Sequence, residues 1–283
     1  MRLNPFDPNK IRVEGGRSGF PGGGGGQLGC GAIVIALIGA LVFGVDPGQM
    51  LGSMQDTGQA GYQGETTGQS VQELCTQNEY ATEACNTLQS LNDTWEPIFR
   101  EQGAQFEQPT LIFYSGAVNS GCGSATSSAG PFYCPNDQRM YIDTSFYDEM
   151  QQRLGTGPGD FARYYVVAHE YGHHVQYLTG IAAQIQSAQQ QNPRNANQLS
   201  VLMELQADCY AGVWAGKNRN LIEPGDFEEG MQAASAIGDD RLTGGRVSSE
   251  NFTHGTSAQR MQALRLGMES GNDRQCDRIT QIG

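Results

Sequence analysis

Apolar positions along the chain recur with a period that changes several times, and each change marks an element. From Val71 to Gly103 the apolar residues Leu88, Leu91, Trp95, Ile98 and Phe99 fall at helical spacing, which predicts a broken helix packed on a core. TLIFYSG (110–116) and RMYIDT (139–144) are short β-rich runs bounded by turn residues, the pattern of strands. Between them NSGCGSATSSAGPFYCPNDQ is rich in Gly and Ser. From Asp160 onward the pattern predicts helices over 160–180, 199–216, 225–237 and 257–269, with QSAQQQNPRNANQ (186–198) as a polar connection. A few strands followed by a run of helices predicts an α+β fold with a small antiparallel or mixed sheet.

One run obeys neither period. LGCGAIVIALIGALVFGV (28–45) holds no charged residue. As a helix rising about 1.5 Å per residue it would reach roughly 27 Å, close to the ~30 Å thickness of a bilayer's hydrocarbon. Charge changes sign across it. Residues 1–45 carry Arg2, Lys10, Arg12 and Arg17 against Asp7 and Glu14, while the remainder carries 13 basic and 28 acidic residues. The positive-inside bias then places 1–27 in the cytoplasm as a Gly-rich tail, 28–45 as a single transmembrane helix, and the rest outside. A cleaved signal peptide fits less well, because no small-x-small site follows the run and the 27-residue lead is long. A lipid on Cys30 is disfavoured, since that cysteine sits near the start of the run. Residues 46–70, with six glycines and few large apolar side chains, read as a flexible linker to a domain over 71–283.

Composition narrows the function. A net charge of −13 and a pI near 4.6 exclude the basic surface that nucleic-acid binding requires. Apart from Cys30 there are six cysteines, Cys75, Cys85, Cys122, Cys134, Cys209 and Cys276. An even count in a segment placed outside the cytoplasm reads as three disulfides. Six cysteines allow 15 connectivities. The nearest-neighbour guess is Cys75–Cys85, Cys122–Cys134 and Cys209–Cys276.

The chemistry gathers in His169-Glu170-Tyr171-Gly172-His173-His174, which holds three of the four histidines. On a helix turning about 100° per residue, His169 and His173 lie about 40° apart and can bind one metal, with Glu170 placed to reach a water on it. Val167, Tyr171, Val175 and Leu178 fall roughly opposite that pair, so the histidines do not point into the apolar stripe. His174 lies nearer the stripe and reads as a packing or hydrogen-bonding residue.

A catalytic zinc site needs a third protein ligand and an open position. The metzincin pattern would need glycine at 176 and histidine at 179; Gln176 and Thr179 exclude it. Met203-Glu204-Leu205-Gln206-Ala207-Asp208 supplies the other solution, with Glu204 as ligand 31 positions after His173. Asp208, one turn on and on the same face, would hold the far nitrogen of a ligating histidine and fix its tautomer.

HEYGHHVQ, ELQADCYAGVWA, GCGSATSSAGPFYCP and FTHGTSAQR together resemble the neutral zinc metallopeptidase family of YpfJ-like bacterial membrane proteins. The likeness covers roughly residues 71–270. It implies a zincin-like fold, a Zn2+ cofactor and peptidase activity, and brings no substrate with it.

These readings converge on a membrane-anchored zinc metallopeptidase acting on a peptide or protein substrate. Glu170 takes the proton of a zinc-activated water and later delivers it to the leaving amine. His254 is the candidate second donor to the oxyanion, with Tyr171 and Tyr210 behind it. Ser124, Ala125 and Thr126, in a small-residue segment, are candidates to line an extended peptide added at a strand edge. Two other readings stand beside this one: an anchored binding or scaffold protein with structural zinc, and a zinc amidase acting on cell-wall peptides.

Overall fold

The structure, a computed structural model, describes residues 1–16, 66–154 and 159–281. Its main sheet is mixed. β1 (Arg12–Gly15), β2 (Thr110–Phe113) and β6 (Arg139–Ile142) run parallel, β5 (Phe132–Cys134) is antiparallel to β6, and the order is β1-β2-β6-β5. β3 (Ala117–Ser120) and β4 (Gly123–Thr126) form a separate antiparallel ribbon. Around these lie α1 (Val71–Cys75), α2 (Glu79–Glu101), α3 (Ser145–Leu154), α4 (Phe161–Leu178), α5 (Ile181–Gln191), α6 (Ala196–Lys217), α7 (Asp226–Ala236), α8 (Asp239–Leu242), α9 (Ser257–Ser270) and α10 (Asp273–Asp277). The fold is therefore α+β with a small mixed sheet, as the pattern predicts.

The amino-terminal segment packs against the domain. Residues 1–16 form part of the domain: β1 pairs with β2 over four residues, and Met1, Ile11 and Val13 are buried in the main core. The Phe6 and Asp7 amides donate to Asn86 and Gln89 of α2, and the Met1 ammonium lies 3.0 Å from Asp226. β1 covers the edge of β2, whose backbone would otherwise be open to pairing with other chains. The end of the expected linker is ordered too. Thr66 bridges Gly16, the Thr67 amide donates to Gly15, and Ser70 caps α1 in a capping box with Glu73. The apolar run 28–45 and the start of the linker lie outside the described residues. Among the described residues no helix is long and apolar enough to cross a membrane. The Gly16–Thr66 bridge places the two ends of the segment 17–65 side by side.

Helix positions follow the sequence expectation within a few residues, apart from one connection. Residues 186–191, expected in a polar link, continue α5, a helix with Ile185 as its buried anchor. The pattern of apolar positions does not single out α3, β1, β3, β4 or β5. The three disulfides join Cys75 to Cys85, Cys122 to Cys134 and Cys209 to Cys276, the nearest-neighbour pairing.

Glycines set how closely the central helices approach. A Cβ on Gly212 of α6 would lie 2.2 Å from the Leu264 carbonyl oxygen of α9, and one on Gly267 would lie 2.0 Å from that of Cys209. A Cβ on Gly216 would meet the Met268 carbonyl at 2.6 Å. Facing positions advance in the same direction along both helices, so α6 and α9 run parallel, backbone against backbone.

Candidate metal centre

α4 carries His169, Glu170 and His173 on a helix that is buried along most of its length. α6 crosses it at a second close contact, Gly172 against Ala207, where an added Cβ would be 2.8 Å from the Ala207 oxygen. That approach brings Glu204 to both histidines. Its Oε2 is 3.2 Å from His169 Nε2 and its Oε1 is 3.4 Å from His173 Nε2. A zinc ion held tetrahedrally at about 2.0–2.1 Å keeps its ligand atoms roughly 3.3 Å apart. The His169, His173 and Glu204 donor set, all within 4.8 Å, therefore fits such an ion.

Both rings are turned by the bond each makes at its other nitrogen. His169 Nδ1 donates to Asp208 Oδ1 at 2.8 Å. His173 Nδ1 donates to Gln176 Oε1 at 2.9 Å, and the Gln176 amide donates in turn to the Met203 carbonyl and to Gln206. Each Nε2 is left facing Glu204, the arrangement by which outer partners fix a ligating tautomer. Asp208 is fully buried yet saturated: Tyr165 Oη, His169 and Arg260 all donate to it.

The electrostatics follow from burial and these partners. Burial pushes the His169 imidazole down, but Asp208 and Glu204 outweigh it and lift the pKa to about 10. Burial would raise the Glu204 and Asp208 carboxyls. His173 and His169 hold Glu204 well below the usual carboxylate range, and Arg260 and His169 hold Asp208 below it. Glu170 goes the other way. Its carboxyl is pushed up by burial, against the pull of His169, His173 and the Tyr133 backbone N–H of β5, which donates to it. A carboxyl raised by its site is suited to carry a proton. His174 is fully buried behind the cluster, bonded to Tyr133 Oη and the Glu107 carbonyl, with its pKa pushed down to about 4 by burial.

The other candidates divide. His254 lies in the turn before α9, where Gly255 packs on Val201 and Leu205, neighbours of Glu204 along α6. Asp239 binds the His254 ring at Nδ1 and accepts from the Thr253, His254 and Gly255 amides, while Nε2 is buried with no hydrogen-bond partner among the described residues. The Tyr171 and Tyr210 hydroxyls donate to Asn92 and Asp277. Ser124, Ala125 and Thr126 belong to the β3–β4 ribbon, where Ala125 is buried opposite Val118 and the two hydroxyls bond Asn119 and Ser128. The strand that touches Glu170 is β5.

Sequence reasoning missed Tyr165, Gln176, Asp239 and Arg260. Tyr165 and Gln176 stand four residues before His169 and three after His173 on one helix, a signal available from spacing. Arg260 and Asp239 arrive from other elements, and no local spacing points to them.

The family model described as "Putative neutral zinc metallopeptidase" matches residues 8–279, and the chain belongs to that family. It is 44% identical over 270 residues to the uncharacterized protein YpfJ of Escherichia coli K12, covering 93% of this chain and 90% of that one. It is 40% identical over 206 residues to the uncharacterized protein Mb2605 of Mycobacterium bovis, covering 68% of each. No solved structure matches it.

Proposed function

We propose that this member of the neutral zinc metallopeptidase family hydrolyses peptide bonds, with His169, His173 and Glu204 holding zinc and Glu170 as general base. The observation that carries the reading is the pair of ligand separations, 3.2 and 3.4 Å, beside a buried carboxyl whose pKa is raised. Zinc bound there would polarise a peptide carbonyl and acidify a water. Glu170 would accept a proton from the attacking water on its carboxylate and deliver it to the leaving nitrogen. Tyr133 keeps Glu170 aimed through its backbone N–H. Structural zinc is usually four-coordinate and cysteine-rich, whereas the cluster offers three ligands without cysteine.

β5 is the last strand of its sheet and bonds Glu170, which supports an extended substrate lying beside this strand and past the base. The apolar run 28–45 is the proposed membrane contact, and the three disulfides favour a domain outside the cytoplasm. The β1–β2 pairing supports a place for residues 1–16 on the same side as the domain.

Incubating the full chain with a peptide library, with zinc and after chelation, tests the activity. Zinc-dependent cleavage is expected. Tight zinc binding with no cleavage of any peptide would favour the scaffold reading, and cleavage confined to cell-wall peptides the amidase.

A further inference from the structure

We propose that Arg260 is a positioning residue of the metal centre, whose guanidinium locks the Asp208 carboxylate so that His169 presents its Nε2 lone pair to the ion. The inference rests on the zinc-site reading above and adds a residue to it.

Arg260 sits on α9 and is 1% exposed. Its Nε donates to Asp208 Oδ2 at 2.7 Å and its Nη2 to Oδ1 at 2.8 Å, a two-pronged grip on one carboxylate. Such a fork fixes the rotation of the carboxylate plane, which a single bond would leave free. Oδ1, held by the fork, is the atom that accepts the His169 Nδ1 proton. Nη2 also lies 3.3 and 3.5 Å from the two ring nitrogens of His169, and 3.7 Å from Glu204 Oε2. Near-equal distances to both nitrogens put it against the ring and not in line with one lone pair. The guanidinium thus steadies the imidazole from the side while leaving Nε2 directed at Glu204.

Charge makes the same demand. Glu204 and Asp208 are both buried, one helical turn apart, with Glu170 nearby. Two ionised carboxylates in so dry a place repel unless a cation stands between them. Arg260 reaches both. A lysine could supply the charge but not the planar fork. The parallel, glycine-lined contact of α6 with α9 is what brings the guanidinium close enough.

If Arg260 were only a tie between helices, its loss would lower stability without acting through Asp208. The full chain is therefore compared as wild type, Arg260→Gln, Arg260→Lys, Asp208→Asn and the Asp208→Asn/Arg260→Gln pair. Three readouts are taken: zinc affinity by chelator competition, the visible spectrum of the cobalt-loaded protein, and thermal melting. Arg260→Gln should weaken zinc about 10–100-fold, in the range seen when an outer partner of a metal ligand is lost, and should alter the cobalt spectrum. Arg260→Lys should recover part of that affinity. The paired variant should bind zinc no more weakly than Asp208→Asn alone. Unchanged zinc affinity in a folded Arg260→Gln, or losses that multiply in the pair, would overturn the proposal. Should Arg260→Gln fail to fold, Arg260→Lys and the paired variant, which removes the Asp208 charge together with the guanidinium that grips it, decide the same question. Failure of the peptidase reading itself would show differently, as a wild type that binds zinc and cleaves nothing.

Discussion

Gly172 of α4 faces Ala207 of α6 so closely that a methyl group on it would stand 2.8 Å from the Ala207 carbonyl oxygen. Gly172 precedes His173, and Ala207 lies between Glu204 and Asp208, so this contact sets the distance between the two halves of the metal cluster. Gly172→Ala should push the helices apart and weaken zinc binding, with a stability loss of about 1–3 kcal/mol, as overpacking typically costs. Chelator competition and urea melts check both.

Glu170→Gln keeps the size of the side chain but cannot accept a proton. It should bind about one zinc per chain, melt like the wild type and lose activity by roughly 10²–10⁴-fold or more. Turnover at the wild-type rate would remove Glu170 from the chemistry.

Glu204→Gln should act on the metal first. The amide is a poor zinc ligand beside two histidines, so zinc content should fall while the chain stays folded. Metal analysis after gel filtration, with circular dichroism on the same sample, separates this from unfolding.

Asp239 should brace its turn in a pH-dependent way. Burial would raise its carboxyl, but the His254 ring and the backbone amides of His254 and Thr253 hold it below the ordinary value of 3.8. A carboxyl depressed in the fold adds stability that is present above the unfolded value and lost as pH falls through the folded one. Asp239→Asn should therefore be less stable than wild type at pH 7, and the gap should narrow as pH drops below about 3.8. Urea melts of both proteins at pH 7 and pH 3 measure it; a constant gap would assign the effect to packing alone.

β1 makes a prediction about sidedness. Cysteines introduced at Lys10 and at Arg194 should react with an impermeant thiol reagent from the same face of intact spheroplasts, because β1 is paired with β2. Reaction from opposite faces would mean that β1 is undocked from β2 in the cell. Deleting residues 1–16 should leave the β2 edge open, lower the melting temperature and promote aggregation.

Local pattern determined much of this protein. The i, i+4 histidines, the glutamate between them and the second acid pair one turn apart on a later helix could be read because helical geometry converts spacing into a shared face. The long helices were legible for the same reason. Cysteine count and chain proximity led to the pairing the structure holds, although fifteen connectivities were open.

What the pattern could not decide was anything set by packing between elements distant in sequence. β1 is four residues long and polar at two of them, so its place in the sheet depends on the waiting edge of β2, some hundred positions away. Tyr171 and Tyr210 flank the cluster in sequence, but helix rotation turns their hydroxyls to Asn92 and Asp277. Arg260 reaches Asp208 only because Gly212 and Gly267 let two backbones touch. Spacing within α4 and within α6 picks out the His169, His173 and Glu204 donor set and, on the same helices, Gln176 and Asp208; Arg260 comes from α9, and only the tertiary contact of α9 with α6 brings it to Asp208.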